Sequence, residues 1–586
     1  MSYAEQIDLA SPSWLARRQA LGMRLAVARG DAPADLVLAG GRVVDLFSGR
    51  IEELDVAVHQ GLVVGLGSYK GIERRELAGA YLCPGFIEGH LHVESTLLAP
   101  AQLARAVCPR GTTAIVADPH EIAGVMGLAG IQAMLQGSED LPVGFYFNAP
   151  SCVPATPLED AGALLDAADL LKIAGHPRLL GLAEVMNFPG LVAGDPDVLD
   201  KVLAFAGRPI DGHAPLLSGL GLNAYLVGGA QSDHECTRPE EAAEKLARGM
   251  WLMIRQGTSA HNLADLLPLV TPYSERRCLL VSDDRHPDTL AQEGHLDDLL
   301  RQAVALGLDP LTALRLVTLN PARRFGLAGQ GAVAPGYAAD LVVLEDLKDF
   351  KVREVYQAGR LVAQEGQCLD PCATPFPEVA RGRLRCGPLS AELFQVAAGG
   401  AKARVIGLVP GQIITEHLIE ETPVRDGWLM ADASRGLARL TVIERHQASG
   451  KVGHGLLKGL GLERGALASS VAHDSHNLVV AGMDDESMLT AARRVAEMGG
   501  GLCAALGSQV LAELPLPLAG LMSDQPLEIV LEQLERLRQG ADLICAHPEP
   551  FMPLSFVCLP VIPHLKLSDR GLVDVDAFAA VELFPA

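Results

Sequence analysis

The chain has no Cys-x-x-Cys pair, no apolar run approaching about 18 residues, and far fewer cations than anions. Eleven cysteines are scattered through 586 residues, an odd count, and the closest are Cys368 and Cys372. That pattern gives no disulfide framework, and the thiols read as small core residues in a reducing cytoplasm. Residues 1–21 are interrupted by Glu5, Asp8, Arg17 and Arg18, which is unlike a secretory segment. The missing long run excludes a membrane-spanning helix. Lys+Arg 48 against Asp+Glu 71 leaves a net charge of −23. With no basic footprint, nucleic acid is not the expected partner.

What is present describes a well-cored protein: 49% hydrophobic and 20% charged, and too long for one ordinary domain. The apolar stretch Leu82-Cys83-Pro84-Gly85-Phe86-Ile87-Glu88-Gly89 runs into His90-Leu91-His92. On a strand these histidines point to the same side about 7 Å apart. Two imidazoles so placed can hold one metal ion at about 2.0–2.1 Å. Alone, the pair is as compatible with two separately hydrogen-bonded side chains. Further runs then end in metal-capable groups: Asp118-Pro119-His120-Glu121, Glu184, Asp211-Gly212-His213, Asp233-His234-Glu235 and Asp283-Asp284. Short apolar runs with room for a helix between them, each ending in a reactive side chain, are the design of a (β/α)8 barrel.

The flanks differ. Ser11-Pro12-Ser13 starts a helix with Trp14, Leu21, Leu25 and Ala28 along one face. Residues 35–45 read as a hairpin about Gly40-Gly41, and 55–58 with 62–66 as another. Similar strands return at 339–344 and 352–362. The expected architecture is therefore α/β: a barrel (84–333) inserted in a small β-sandwich domain (1–83 and 334–370), then a C-terminal α/β domain (387–586). Asp309-Pro310 opens a closing helix, and Asn320-Pro321 bends or ends it.

Pro84-Gly85-Phe86-Ile87-Glu88-Gly89-His90-Leu91-His92 resembles the opening signature of the amidohydrolase superfamily. Asp118–Ala123, Ala183–Gly190, Asp211–Pro215, Ser232–Thr237, Ser282–Pro287 and Ala468–Asn477 together resemble its adenine deaminase family. The resemblance runs from about residue 30 to the C-terminus and implies two divalent ions, Mn(II) first, with Fe(II) or Zn(II) tolerated by the ligands. It implies that His90 and His92 bind one ion, His213 and His234 the other, and that Glu184 bridges them. Asp283 would bind metal and move protons. Relatives often bridge with a carboxylated lysine; here Lys172, Lys201 and Lys245 all sit in helix-like segments, whereas Glu184 follows an apolar run. The implied reaction is hydrolysis of adenine to hypoxanthine and ammonia by a homodimeric enzyme. Hydroxide would come from water acidified from about 15.7 toward about 7.

Other residues carry alternatives. Glu121, His120 and Asp118 are candidates to face the ring nitrogens, with Glu121 either a proton donor or a partner to a metal-binding histidine. Asp284 is the alternative to Asp283. Glu88 and Glu94 fit a buried network, and His286 a structural or substrate-loop role. His473 and His476 fit a metal pair or a hydrogen-bonded turn. The glycine-rich stretch 453–465 lacks either nucleotide fingerprint, so close backbone packing is expected. The zinc cytidine-deaminase pattern is excluded because Pro371-Cys372 is not followed by a second cysteine at the required spacing. The rival classes are another amidohydrolase activity, on a cyclic amide or a different amine, and a non-catalytic metal-binding regulator.

Overall fold

The computed structural model describes residues 11–258, 260–410 and 412–585. Phe86–Leu91, Thr112–Ala117, Gly144–Ala149, Leu179–Val185 and Ile210–Gly212 form a parallel five-stranded sheet in chain order. Ser232–Asp233, Trp251–Arg255 and Cys278–Val281 form a parallel three-stranded one. Two seams join the sheets. Gln231 N–H donates to Ile210 O and Asp283 N–H to His90 O, each at 3.0 Å, and Leu91 bridges to Asp283 in parallel. Among the described residues the strands thus number eight and close into a barrel. Their near-continuous burial, complete in the first two, is why they read as unbroken apolar runs.

The small β domain is built from both flanks. Tyr81–Pro84 lies between Ala34–Asp45 and Leu341–Leu344 in one nine-stranded sheet. The sheet folds back on itself where Val63 N–H donates to Tyr337 O at 2.9 Å. Leu38, Val43, Val56 and Leu82 then share one core with Leu341, Val343 and Tyr356. The hairpin expected at 35–45 is not formed. Ala34–Asp45 is one strand along Arg50–His59, with a register shift between Leu38 and Gly41. Gly40 takes a positive φ of 63° there, so the glycine pair makes a bulge instead of reversing the chain. The hairpin at 55–66 does form. The first helix, Pro12–Ala28, is capped by Ser11 as expected, but it docks through Val27 and leaves Leu21 and Leu25 exposed. Residues 1–10, read from the sequence as part of a helical stretch over 1–30, lie outside the described residues. Pro310–Leu316 is capped by the Asp309 side chain, and Leu319–Arg324 follows as a separate turn of helix.

The C-terminal domain is an eight-stranded sheet with Asp485–Glu497 and Leu527–Asp542 packed on it. It is fastened over the barrel mouth by the loop after the third barrel strand. Asp160 pairs there with Arg570 and Lys451, and its N–H and carbonyl bond Asp569 Oδ1 at 2.9 Å and Asn477 Nδ2 at 2.8 Å. Within this domain Gly453 packs so tightly that a Cβ would meet Ser568 O at 2.0 Å, in keeping with the close-packing expectation.

Glu159 is buried beside this seam and accepts from Thr156 N–H at 3.2 Å. Burial, helped by nearby Asp474, pushes its carboxyl up to about 8 from 4.5. The folded state therefore holds the proton more tightly than the unfolded chain does. The stability this adds is complete below pH 4.5 and is lost as pH rises through about 8. The slope is about 1.4 kcal/mol per pH unit inside that window. Glu159→Gln keeps the neutral shape, so Tm measured between about pH 5 and about pH 9 should fall less steeply than in the native chain. Parallel curves would contradict this.

Candidate active site

The carboxyl ends of the barrel strands converge on one buried cluster. His90 and His92 leave the first strand with ring centroids 5.0 Å apart, and His90 stacks on His234 at 4.1 Å. Glu184, at the end of Leu179–Val185, stands between two sets of imidazoles. Its Oε1 is 3.3 Å from His92 Nε2 and 3.6 Å from His120 Nδ1; its Oε2 is 2.8 Å from His213 Nδ1 and 3.1 Å from His234 Nε2. One oxygen for each half is the placement a bridging carboxylate needs. The three lysines are elsewhere: Lys172 caps a helix and Lys201 lies on another, while Lys245 is buried against Asp233 and Glu241.

Asp283 Oδ1 lies 3.4 Å from His90 Nε2 and 3.2 Å from His92 Nε2, while Oδ2 accepts from Arg255 at 2.8 Å. Its backbone is left-handed, φ 56°, a conformation that costs energy in a non-glycine residue. The Asp283 N–H to His90 O bond at the barrel seam holds it there. Ser95 Oγ ties the neighbouring Asp284 to Glu121. Glu88 accepts from His90 N–H and Ser282 N–H at 3.0 and 3.1 Å, and Glu94 from Ile122 N–H at 3.0 Å, so both belong to the supporting network. His286 precedes the helix Pro287–Gln292.

All the expected site residues are therefore brought together: His90, His92, Asp118, His120, Glu121, Glu184, His213, His234, Asp283 and Asp284. The structure draws Asp118 and His120 closer to the metal-capable set than expected, since their donor atoms group with those of His92 and Glu184. It also adds residues that had no assigned role. Glu235 groups with His213 and His234, and Arg255 pairs with Glu235 and Asp283. Glu235 was visible beside His234; Arg255 ends an apolar strand but is no ligand type, so a search for ligands passes over it. From the C-terminal domain, Asp474 Oδ1 reaches His120 Nε2 at 3.4 Å and His473 Nδ1 reaches Glu121 Oε1 at 3.3 Å. His473 also stacks on Phe556 at 4.5 Å. His476 lies 3.8 Å from the other Glu121 oxygen, so Glu121 is the shared partner of this histidine pair.

The donor set fits divalent cations. His90 Nε2, His120 Nδ1, His213 Nε2 and Asp118 Oδ2 are buried without a hydrogen-bond partner. Such orphans are costly unless an ion or another group completes them. Burial raises the carboxyls of Asp118 and Asp284. Burial also opposes the charges on Asp283 and Glu184, yet Arg255 and the histidines hold Asp283, and His234 and His213 hold Glu184, well below the usual carboxylate range. Glu121 is likewise held down to about 2 against burial by His473, which itself is raised to about 10, against burial, chiefly by Glu121.

Asp474 positions His120 and has no place among the groups expected to hold metal. Asp474→Ala should lower kcat/KM by about 10–100-fold. Metal content by mass spectrometry should stay at the native level; loss of metal would show a ligand role instead.

A closed (β/α)8 barrel with histidines and carboxylates gathered at its carboxyl end defines an amidohydrolase, and residues 81–362 match the model of the amidohydrolase family. Residues 412–579 match the adenine deaminase C-terminal domain. The chain is 49% identical over 567 residues to an adenine deaminase of Desulfatibacillum aliphaticivorans, covering 96% of this chain and 99% of that one. It is 48% identical to adenine deaminase 2 of Carboxydothermus hydrogenoformans, covering 95% and 98%. The chain belongs to the adenine deaminase family.

Proposed function

We infer that the chain hydrolyses free adenine to hypoxanthine and ammonia. The observation that carries this reading is the cavity at the barrel mouth, where the histidine–carboxylate cluster meets His473 and Asp474 of the C-terminal domain. His90, His92 and Asp283 would hold one divalent cation, His213 and His234 the other, with Glu184 between them. Manganese is the metal proposed, although a His/carboxylate set also accepts iron or zinc. Bound there, the ions would supply Lewis acidity that makes hydroxide available near neutral pH.

Asp283 accepts the proton of the attacking water and passes it to the departing amine. The water oxygen stays on C6, the C6–N bond breaks, and adenine plus water becomes hypoxanthine plus ammonia. Arg255 keeps the Asp283 carboxylate turned toward His90 and His92. The Glu121–His473 pair carries a proton on the imidazole and lines the cavity, placed to offset negative charge growing on a ring nitrogen. Asp284 and Ser95 steady Glu121 from below.

Ile413, Phe556, Leu559 and Ile562 add apolar surface to the lining of the same cavity. Apolar side chains of this kind suit the face of a flat base and offer a ribose hydroxyl no hydrogen-bond partner. Adenosine should therefore be turned over at least about 100-fold less efficiently than adenine, a difference of about 2.7 kcal/mol. Equal kcat/KM for the two substrates would overturn the free-base assignment. A homodimer in the cytoplasm is proposed alongside, on the family resemblance alone; among the described residues no helix is long and apolar enough to cross a membrane.

A further inference from the structure

Three thiols meet at the end of the barrel opposite the active site. Cys108 opens the turn Cys108–Arg110, which leads into the amino end of the second barrel strand, Thr112–Ala117. Cys368 ends the short strand Gln367–Cys368, where the chain leaves the small β domain, and Cys372 follows one turn later. The segments are far apart in sequence, yet Cys368 Sγ lies 3.9 Å from Cys372 Sγ, and the strand that carries Cys368 packs against the turn that carries Cys108, all three side chains in one cluster. Cys108 and Cys372 are buried and Cys368 is partly exposed.

We propose that Cys108, Cys368 and Cys372 form a binding site for a thiophilic divalent cation, zinc, which staples the exit of the β domain to the base of the barrel. Two sulfurs bound to one tetrahedral zinc at about 2.3 Å stand about 3.8 Å apart. The observed 3.9 Å separation already has that spacing. A disulfide would use two of the three sulfurs and leave the third without a role. The loop between the two nearer cysteines is shaped to present them. Asp370 Oδ1 accepts from Cys372 N–H at 2.9 Å, and Cys372 is held left-handed at φ 46°. Arg360 anchors the other Asp370 oxygen at 3.2 Å, leaving that carboxylate pinned beside the sulfurs. Cys368 Sγ also lies 3.5 Å from Asp370 O, so the same loop holds this sulfur through its backbone. A thiolate is the form that ligates metal. The partly exposed face of Cys368 leaves the fourth position to solvent. In a reducing compartment converging cysteines favour a metal over a disulfide.

The test uses full-length chain from cells grown with cobalt in place of zinc. Thiolate ligation of Co(II) gives a near-ultraviolet charge-transfer absorption, and the histidine and carboxylate donors of the active site do not. The native chain should show this band and carry one metal equivalent more than Cys368→Ser or Cys372→Ser, in which the band is lost. Glu184→Gln should keep the band. Cys368→Ser, at the partly exposed sulfur, should turn adenine over at the native rate, which separates loss of the site from loss of the fold. Absence of the band from the native chain, or its persistence in both serine variants, would overturn the proposal. So would a native chain two hydrogens lighter, with two of these thiols closed to a thiol reagent.

Discussion

Glu184→Gln is expected to lose bound metal and catalysis together. Each Glu184 oxygen faces a different set of imidazoles, at 2.8 to 3.6 Å. Glutamine fits the same space but turns an amide N–H₂ toward one set and removes the negative charge both sets share. The cluster then keeps its orphaned histidine nitrogens and lacks the group best placed to link two ions. Losing Lewis-acid assistance worth several kcal/mol lowers kcat by about 10³-fold or more. Metal analysis and ammonia release on the same preparation check this. A variant that kept two ions and near-native turnover would remove Glu184 from the centre of the site.

Asp283→Asn should separate what Glu184→Gln joins. Asparagine tolerates the left-handed backbone at this position, so the local fold should hold. His90, His92, Glu184, His213 and His234 remain, and most of the metal should stay. The carboxylate proposed to take the water proton does not, and such groups are worth about 10²–10⁴-fold in rate. The expected result is kcat lower by that factor with metal content largely retained. Asp284→Asn should cost much less, because Asp284 is raised by burial and tied to Ser95. Normal turnover in Asp283→Asn, with a collapse in Asp284→Asn, would move the proton-transfer role one residue along the chain.

The barrel and the side chains gathered at its mouth were legible because buried parallel strands write themselves as apolar runs, and each run ends at the barrel mouth. His90, His92, Glu184, His213 and Asp283 are all read from that single rule. The β domain was legible in its membership but not in its turns. Gly40-Gly41 satisfies a hairpin and a bulge equally well, and pairing with Arg50–His59 decides between them. The contribution of the C-terminal domain was not legible. His473 and Asp474 act on Glu121 and His120 only because the Asp160 loop clamps that domain over the mouth, and contacts across such distances leave no local pattern. The same holds for Cys108 with Cys368 and Cys372, which looked like scattered core thiols until the fold packed their segments together.

The measurement that bears most directly on the central claim is product analysis with adenine as substrate, using manganese-loaded chain prepared free of iron. Hypoxanthine and ammonia should appear mole for mole, and guanine should yield none. A chain that carries two ions and leaves adenine unchanged would contradict the account, and would return the barrel to the wider amidohydrolase family without a substrate.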